Sequence, residues 1–284
     1  MDDNTNTNTN NGVHRDDDLE RRMTLQTRVP DSDDGVHITS QSGVHTQVCG
    51  SVGLGVIGGD AKSGKSTVAA ILMASALSER PVLGADVRLP RGRSGVLYLD
   101  TEHTSVFAQR NQLRTYKLAG YDGPDHPHFR HYNIRRKYPE DRLRIVAEAI
   151  NRHRNAGLVV VDGAADLLRP GGGDEAEESL AAKLHRWSVA SGLLLIVTMH
   201  TRPGSRTLCG VLGEVLNRKC DFRLDADRMV KGPRYVDIIA SRHIAGPGFS
   251  WDFDDDGFPS KPRDRKGFVP AVRASGNPPP YTGG

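Results

Sequence analysis

Cysteine is scarce in this chain of 284 residues, with three in all: Cys49, Cys209 and Cys220. The number is odd and no pair has CxxC or zinc-finger spacing. That excludes a disulfide scaffold and a structural zinc module, and points to a reducing cytoplasm. Aromatic residues are also few, at 6%. Long apolar runs are missing. The apolar runs Leu158–Val161 and Leu193–Val197 fall far short of the ~20 residues of a membrane span. Met1-Asp-Asp-Asn is acidic and polar where a secretory leader is basic and then apolar. No membrane partner is therefore expected. A strong net charge is lacking too: 38 Lys and Arg against 35 Asp and Glu leave +3. A basic groove for nucleic acid can still sit within such a balanced total.

What is present falls into three parts. Residues 1–47 are rich in Asn, Thr, Asp and Ser and hold few core-forming side chains, so disorder is expected there. A Gly-Val-His triplet at Gly12, Gly35 and Gly43 is irregularly spaced and reads as chance. Residues 259–284 form a basic, proline- and glycine-rich tail, again expected to be disordered. Its sharper reading is an arm for phosphate backbone or a partner.

Between them, residues 48–258 alternate strand and helix. Strands are expected at Val52–Ile57, Gly95–Leu99, His128–Asn133, Leu158–Val161 and Leu193–Thr198. Helices are expected at Ser66–Leu77, Thr104–Leu118, Pro139–Arg154 and Asp174–Ala190, with a helical turn at Leu212–Asn217. Short strands at Cys220–Leu224, Arg234–Ala240 and Phe249–Phe253 would close one sheet edge. Continuous apolar strands alternating with helices predict an α/β fold, a mostly parallel central sheet with helices on both faces.

Gly59-Asp60-Ala61-Lys62-Ser63-Gly64-Lys65-Ser66 fits G-x-x-x-x-G-K-[ST]. It follows an apolar strand and opens a helix, the setting in which main-chain amides curl around a phosphate and the helix dipole adds positive charge. Lys65 would neutralise the β- and γ-phosphates of ATP, and Ser66 would ligate Mg²⁺, with Thr67 as a second hydroxyl. Asp60 is expected to turn its side chain to solvent. Leu158-Val-Val-Val161 ends in Asp162, which supplies the metal-facing carboxylate of a Walker B strand; a turn or capping aspartate is the plainer reading.

The residues after Asp162 are Gly163, Ala164 and Ala165, so no acid follows it to activate water. Val96-Leu-Tyr-Leu99 instead runs into Asp100-Thr-Glu102-His103. That would put Glu102 at the C-terminal edge of the sheet, one strand over from the P-loop. Here the sequence resembles RecA-fold hexameric helicases, especially RepA-type plasmid and mobile-element ATPases related to DnaB. The likeness spans about Val52 to Phe253 and rests on GGDAKSGKST, LYLDTEH, LVVVDGAADLL, LLLIVTMH and IIASRHIAGPGFSWDF. It implies that Glu102 is the general base, that His200 is a γ-phosphate sensor, and that Arg242 is an arginine finger reaching a neighbour's nucleotide. Ser241 stands where that family usually has a second basic residue. A dipole-stabilised glutamate, a satisfied polar histidine and a surface arginine are the plainer alternatives.

The resemblance also makes the loops after the Walker B and sensor strands the lining of a central channel. Arg169, Arg202 and Arg206 lie there and would contact single-stranded DNA through its phosphates. Neither loop carries an aromatic residue to stack a base, so contact would be salt-sensitive and indifferent to sequence. The implied activity is Mg²⁺-dependent ATP hydrolysis in a homo-oligomeric, hexameric ring of a replicative helicase, with a replication initiator or primase as a further partner. A RecA/RadA-like recombination ATPase, a nucleotide-switch or loader protein without motor activity, and a small-molecule kinase, disfavoured because no acceptor lid is evident, are the alternatives.

Overall fold

The computed structural model describes residues 33–228, 232–242 and 245–262. In chain order its elements are β1 (Gly35–Thr39), β2 (His45–Gly50), β3 (Gly53–Gly59), α1 (Lys65–Ser78), β4 (Ala85–Arg88), β5 (Gly95–Asp100), α2 (Ser105–Ala119), β6 (Phe129–Asn133) and α3 (Pro139–Arg152). Then come β7 (Ala156–Asp162), a 3-10 turn (Ala164–Leu167), α4 (Gly173–Ser191), β8 (Leu194–His200), α5 (Gly210–Lys219), β9 (Phe222–Arg228), β10 (Arg234–Ser241), β11 (Gly246–Phe253) and β12 (Pro259–Ser260).

Among the described residues, nine strands form one sheet in the order β12-β11-β10-β9-β3-β8-β7-β5-β6. Strands β9 through β6 are parallel, and β10, β11 and β12 close one edge antiparallel. The pleat explains the unbroken apolar runs. Leu158 and Val160 of β7 enter one core, while Val159 and Val161 enter the other. Leu194 and Ile196 of β8 alternate with Leu195 and Val197 in the same way. Helices α1 and α2 cover the first face, and α3, α4 and α5 the second. The fold is thus α/β with a large, mostly parallel central sheet flanked by helices.

Helix α1 has little amphipathic character because it is covered all round; Val68, Ala69, Ile71, Leu72 and Met73 are fully buried. Its outer cover is a second sheet, β2-β1-β4, whose Val36, Ile38, Val48 and Val87 join the same core. This corrects the expectation of disorder through residue 47. Two of the three Gly-Val-His triplets lie at the paired strands β1 and β2, where His37 and His45 stack with ring centroids 5.1 Å apart. The triplet at Gly12 lies outside the described residues, as do residues 1–32 and 263–284. The tail boundary also shifts, since Pro259–Ser260 pairs with Asp252 and Phe253.

Strand order brings a second correction: β8 and β7 stand between β3 and β5, so Glu102 does not follow a strand adjoining the P-loop strand. Sequence neighbours are only usually spatial neighbours, and here two later strands occupy the gap. Helix α1 bridges it, leaving β3 and crossing the sheet to touch β7 and β5. Among the described residues, no helix is long and apolar enough to cross a membrane.

Candidate active site

The loop from Gly59 to Ser66 joins β3 to α1 at the C-terminal edge of the parallel strands. Gly59 (φ 147°) and Gly64 (φ 112°) hold backbone conformations that side chains disfavour. A Cβ on Gly59 would meet the Ala226 carbonyl and Ser63 Oγ, each at 2.5 Å, and one on Gly64 would meet Trp251 at 2.9 Å. Arg234 Nη1 donates to the Lys62 carbonyl at 2.9 Å. The antiparallel strands β10 and β11 therefore brace the loop from behind.

Lys65 is 6% exposed, and its ammonium has three partners for three protons. Nζ donates to the Gly59 and Asp60 carbonyls, each at 3.0 Å, and to His200 Nδ1 at 3.1 Å. Burial pushes its pKa down, against the nearby charges of Glu102, Asp162 and Asp60. Since a lysine donates only, His200 Nδ1 is the acceptor and Nε2 carries the proton. That proton faces Glu102, whose Oε1 is 3.6 Å from Nε2. Contact with His200 lowers the Glu102 pKa despite burial, so the carboxylate is ionised at neutral pH. His200 stands opposite Gly59 in the β3–β8 register. Three expected residues from three separate segments thus form one chain: Lys65, His200, Glu102.

Ser66 and Asp162 lie beside it. Asp162 is fully buried at the tip of β7. Tyr98 donates to its Oδ2 at 2.6 Å and Thr198 to its Oδ1 at 2.7 Å. Burial and the Glu102 charge push this carboxyl up, against hydrogen bonds from Tyr98 and Ser66 that favour ionisation. Behind it, Asn111 Nδ2 donates to the Tyr98 hydroxyl at 2.7 Å and Asn111 Oδ1 accepts from Arg114 at 2.8 Å. Ser63 Oγ is buried in the loop without a protein partner. The donor set fits a triphosphate and a hard divalent cation: a turn of amides with one lysine, and a serine hydroxyl beside a buried carboxylate.

Other expected residues lie elsewhere. Arg242 pairs through Nε with Asp221 Oδ1 at 3.0 Å. Asp221 also caps the start of β3 through the Leu54 amide at 2.9 Å. Arg242 is therefore at the opposite edge of the sheet, roughly 20 Å from its own P-loop by strand rise. Asp60 is exposed to solvent, and its Oδ1 accepts from Thr201 Oγ1 at 2.8 Å. Arg169 pairs with Glu140 at 2.8 Å, Arg202 with Glu214 at 3.8 Å, and Arg206 with Asp237 at 2.5 Å. The loop carrying Arg202 and Arg206 is pinned by a bridge between Thr201 and Leu208.

Sequence reading missed Tyr98 and Thr198, which sit inside strands that read as plain apolar runs. It also passed over His103, whose signal was its place after Glu102 in the Asp-Thr-Glu-His run. Against this geometry, a family model described as an AAA domain matches residues 19–206. The match takes in the P-loop, Glu102, Asp162, His200 and the three loop arginines, and stops before Arg242. No curated protein matches the chain. The family match covers more than half of the sequence, and the chain belongs to the AAA domain family of P-loop ATPases.

Proposed function

We propose that this ATPase works between subunits of an oligomeric ring, hexameric as in RepA/DnaB-type replicative helicases. It couples Mg²⁺-dependent ATP hydrolysis to binding or movement on single-stranded DNA. The observation that carries the proposal is the contact chain Lys65–His200–Glu102. It links the group that grips the terminal phosphates to the carboxylate that would take a proton from the attacking water.

In this reading the amides of Gly59–Thr67 cradle the β-phosphate and Lys65 exchanges its carbonyl partners for phosphate oxygens. Turning toward the phosphates also takes Lys65 from His200 Nδ1, so phosphate occupancy is reported directly to Glu102 and to the Thr201–Leu208 loop. Ser66 and Asp162 hold the cation, which neutralises phosphate charge when bound. Arg242, remote from its own P-loop, serves the nucleotide of an adjacent subunit as an arginine finger. Arg169, Arg202 and Arg206 exchange their acidic partners for DNA phosphates, which makes binding modest and salt-dependent. A replication initiator or primase is the fitting loading partner.

Those same three ion pairs favour a second reading, a nucleotide-dependent switch or loader without motor activity, because no loop arginine is free to begin with. ATP turnover with and without single-stranded DNA, alongside native mass spectrometry with nucleotide, separates the two. DNA-stimulated turnover by a ring supports the motor. Turnover indifferent to DNA, or a monomer with full activity, overturns it.

A further inference from the structure

His103 stands on the metal-facing side of the nucleotide site, and the functional reading above gives it no role. Its main-chain N–H donates to Asp100 Oδ1 at 2.9 Å, and its ring Nδ1 lies 3.0 Å from the same oxygen. An ionised carboxylate only accepts. Asp100 Oδ1 also accepts the Glu102 main-chain N–H at 3.1 Å, so it serves as an acceptor throughout. Nδ1 therefore donates to Asp100, and Nε2 is the ring nitrogen left to meet a cation, giving up any second proton as the cation binds. Nε2 lies 3.5 Å from Ser66 Oγ. The ring also lies beside Asp162, with Nδ1 3.8 Å from Oδ2. Asn133 Nδ2 donates to the His103 carbonyl at 2.9 Å and fixes the backbone.

A carboxylate on one imidazole nitrogen with the other nitrogen aimed at an ion is the arrangement that orients histidine ligands and raises their basicity. The spacing suits a shared ion: two ligand atoms at right angles on one octahedral cation lie about 3 Å apart. Among the described residues, no three His, Cys, Asp or Glu side chains gather into a complete metal cage, so the ion would be shared with phosphate oxygens.

We propose that His103 Nε2 is a further ligand to the cation held by Ser66 and Asp162, giving an otherwise all-oxygen site a nitrogen donor and a preference for Mn²⁺ or Co²⁺. Imidazole binds these ions better than Mg²⁺, which prefers oxygen. This inference rests on the nucleotide site proposed above.

Mn²⁺ tests it on the full chain with a non-hydrolysable ATP analogue. Bound Mn²⁺ is counted by electron paramagnetic resonance, and pulsed spectra are taken on protein labelled with ¹⁵N-histidine. Wild type should show coupling to a histidine nitrogen. In His103→Ala the coupling should vanish and Mn²⁺ affinity should fall ~10–100-fold, while Mg²⁺ affinity, read by competition, should fall no more than ~3-fold. If circular dichroism shows that His103→Ala is unfolded, His103→Gln carries the test, since it keeps bulk without an imidazole nitrogen. No histidine coupling in wild type, or coupling that survives either substitution, overturns the role of His103 alone. Failure of wild type to bind Mn²⁺ with the analogue overturns the nucleotide site itself, and this inference with it.

Discussion

Tyr98→Phe removes one oxygen atom from the centre of the buried polar network that holds Asp162. Tyr98 and Asp162 are both fully buried, so water cannot replace what is lost. The substitution deletes a 2.6 Å bond to the carboxylate, a charged-group hydrogen bond contributing ~1.5–3 kcal/mol. It also strips Asn111 Nδ2 of the acceptor it holds at 2.7 Å, a further ~1–3 kcal/mol. Asn111 cannot easily turn away, because its Oδ1 is engaged by Arg114. A loss of about 3 kcal/mol corresponds to a Tm lower by ~6–12 °C in a domain of this size. Tyr132→Phe is the control: its hydroxyl meets a single partner, His153 Nε2 at 2.7 Å, in a half-exposed setting. There the cost should stay within ~1 kcal/mol. Calorimetric melting at pH 7.5 reads both. If Tyr98→Phe melts no lower than Tyr132→Phe, the buried network does not hold Asp162 as described.

Glu102→Gln should keep nucleotide binding and slow turnover at least ~10²-fold, the scale of losing a general base; single-turnover kinetics read it, and near-normal rates would exclude the role. Arg242→Ala subunits mixed with Lys65→Ala subunits should regain activity, because some interfaces then pair an intact P-loop with an intact arginine; no recovery at any ratio would exclude a finger acting in trans. Burial pushes the Cys49 thiol up to about 12, against ~8.5 for an unfolded cysteine. Since the folded value is the higher one, native Cys49 stays protonated at pH 8 and should alkylate at least ~10³-fold more slowly than in urea. The same shift makes this group lower stability as pH rises from ~8.5 toward 12. Mass spectrometry of iodoacetamide labelling checks the rate, and equal native and unfolded rates would contradict the burial.

Much of the central sheet was legible because its parallel strands are buried on both faces and so read as unbroken apolar runs, Leu158–Val161 above all. The P-loop was legible because its glycines, lysine and serine are consecutive. The three-stranded sheet was not, since β1, β2 and β4 are short and mix Val36 and Ile38 with His37 and Asp86, polar groups that are buried too. Strand order also escaped, because pairing is decided by long-range packing and not by any local pattern; that is why Glu102 was placed one strand from the P-loop strand when two strands intervene. The acids facing Arg169, Arg202 and Arg206 belong to α3, α5 and β10, and no spacing within the loops announces them. His103 escaped because its partners, Asp100 and Ser66, are local in one case and 37 residues distant in the other.

Calorimetric titration of ATP with Mg²⁺ into wild type and Lys65→Ala tests the nucleotide site most directly, since Lys65 alone joins the loop carbonyls to His200. Wild type should bind ATP, with no binding detectable in a folded Lys65→Ala. Equal affinity in the two proteins would contradict the placement of the triphosphate at this loop.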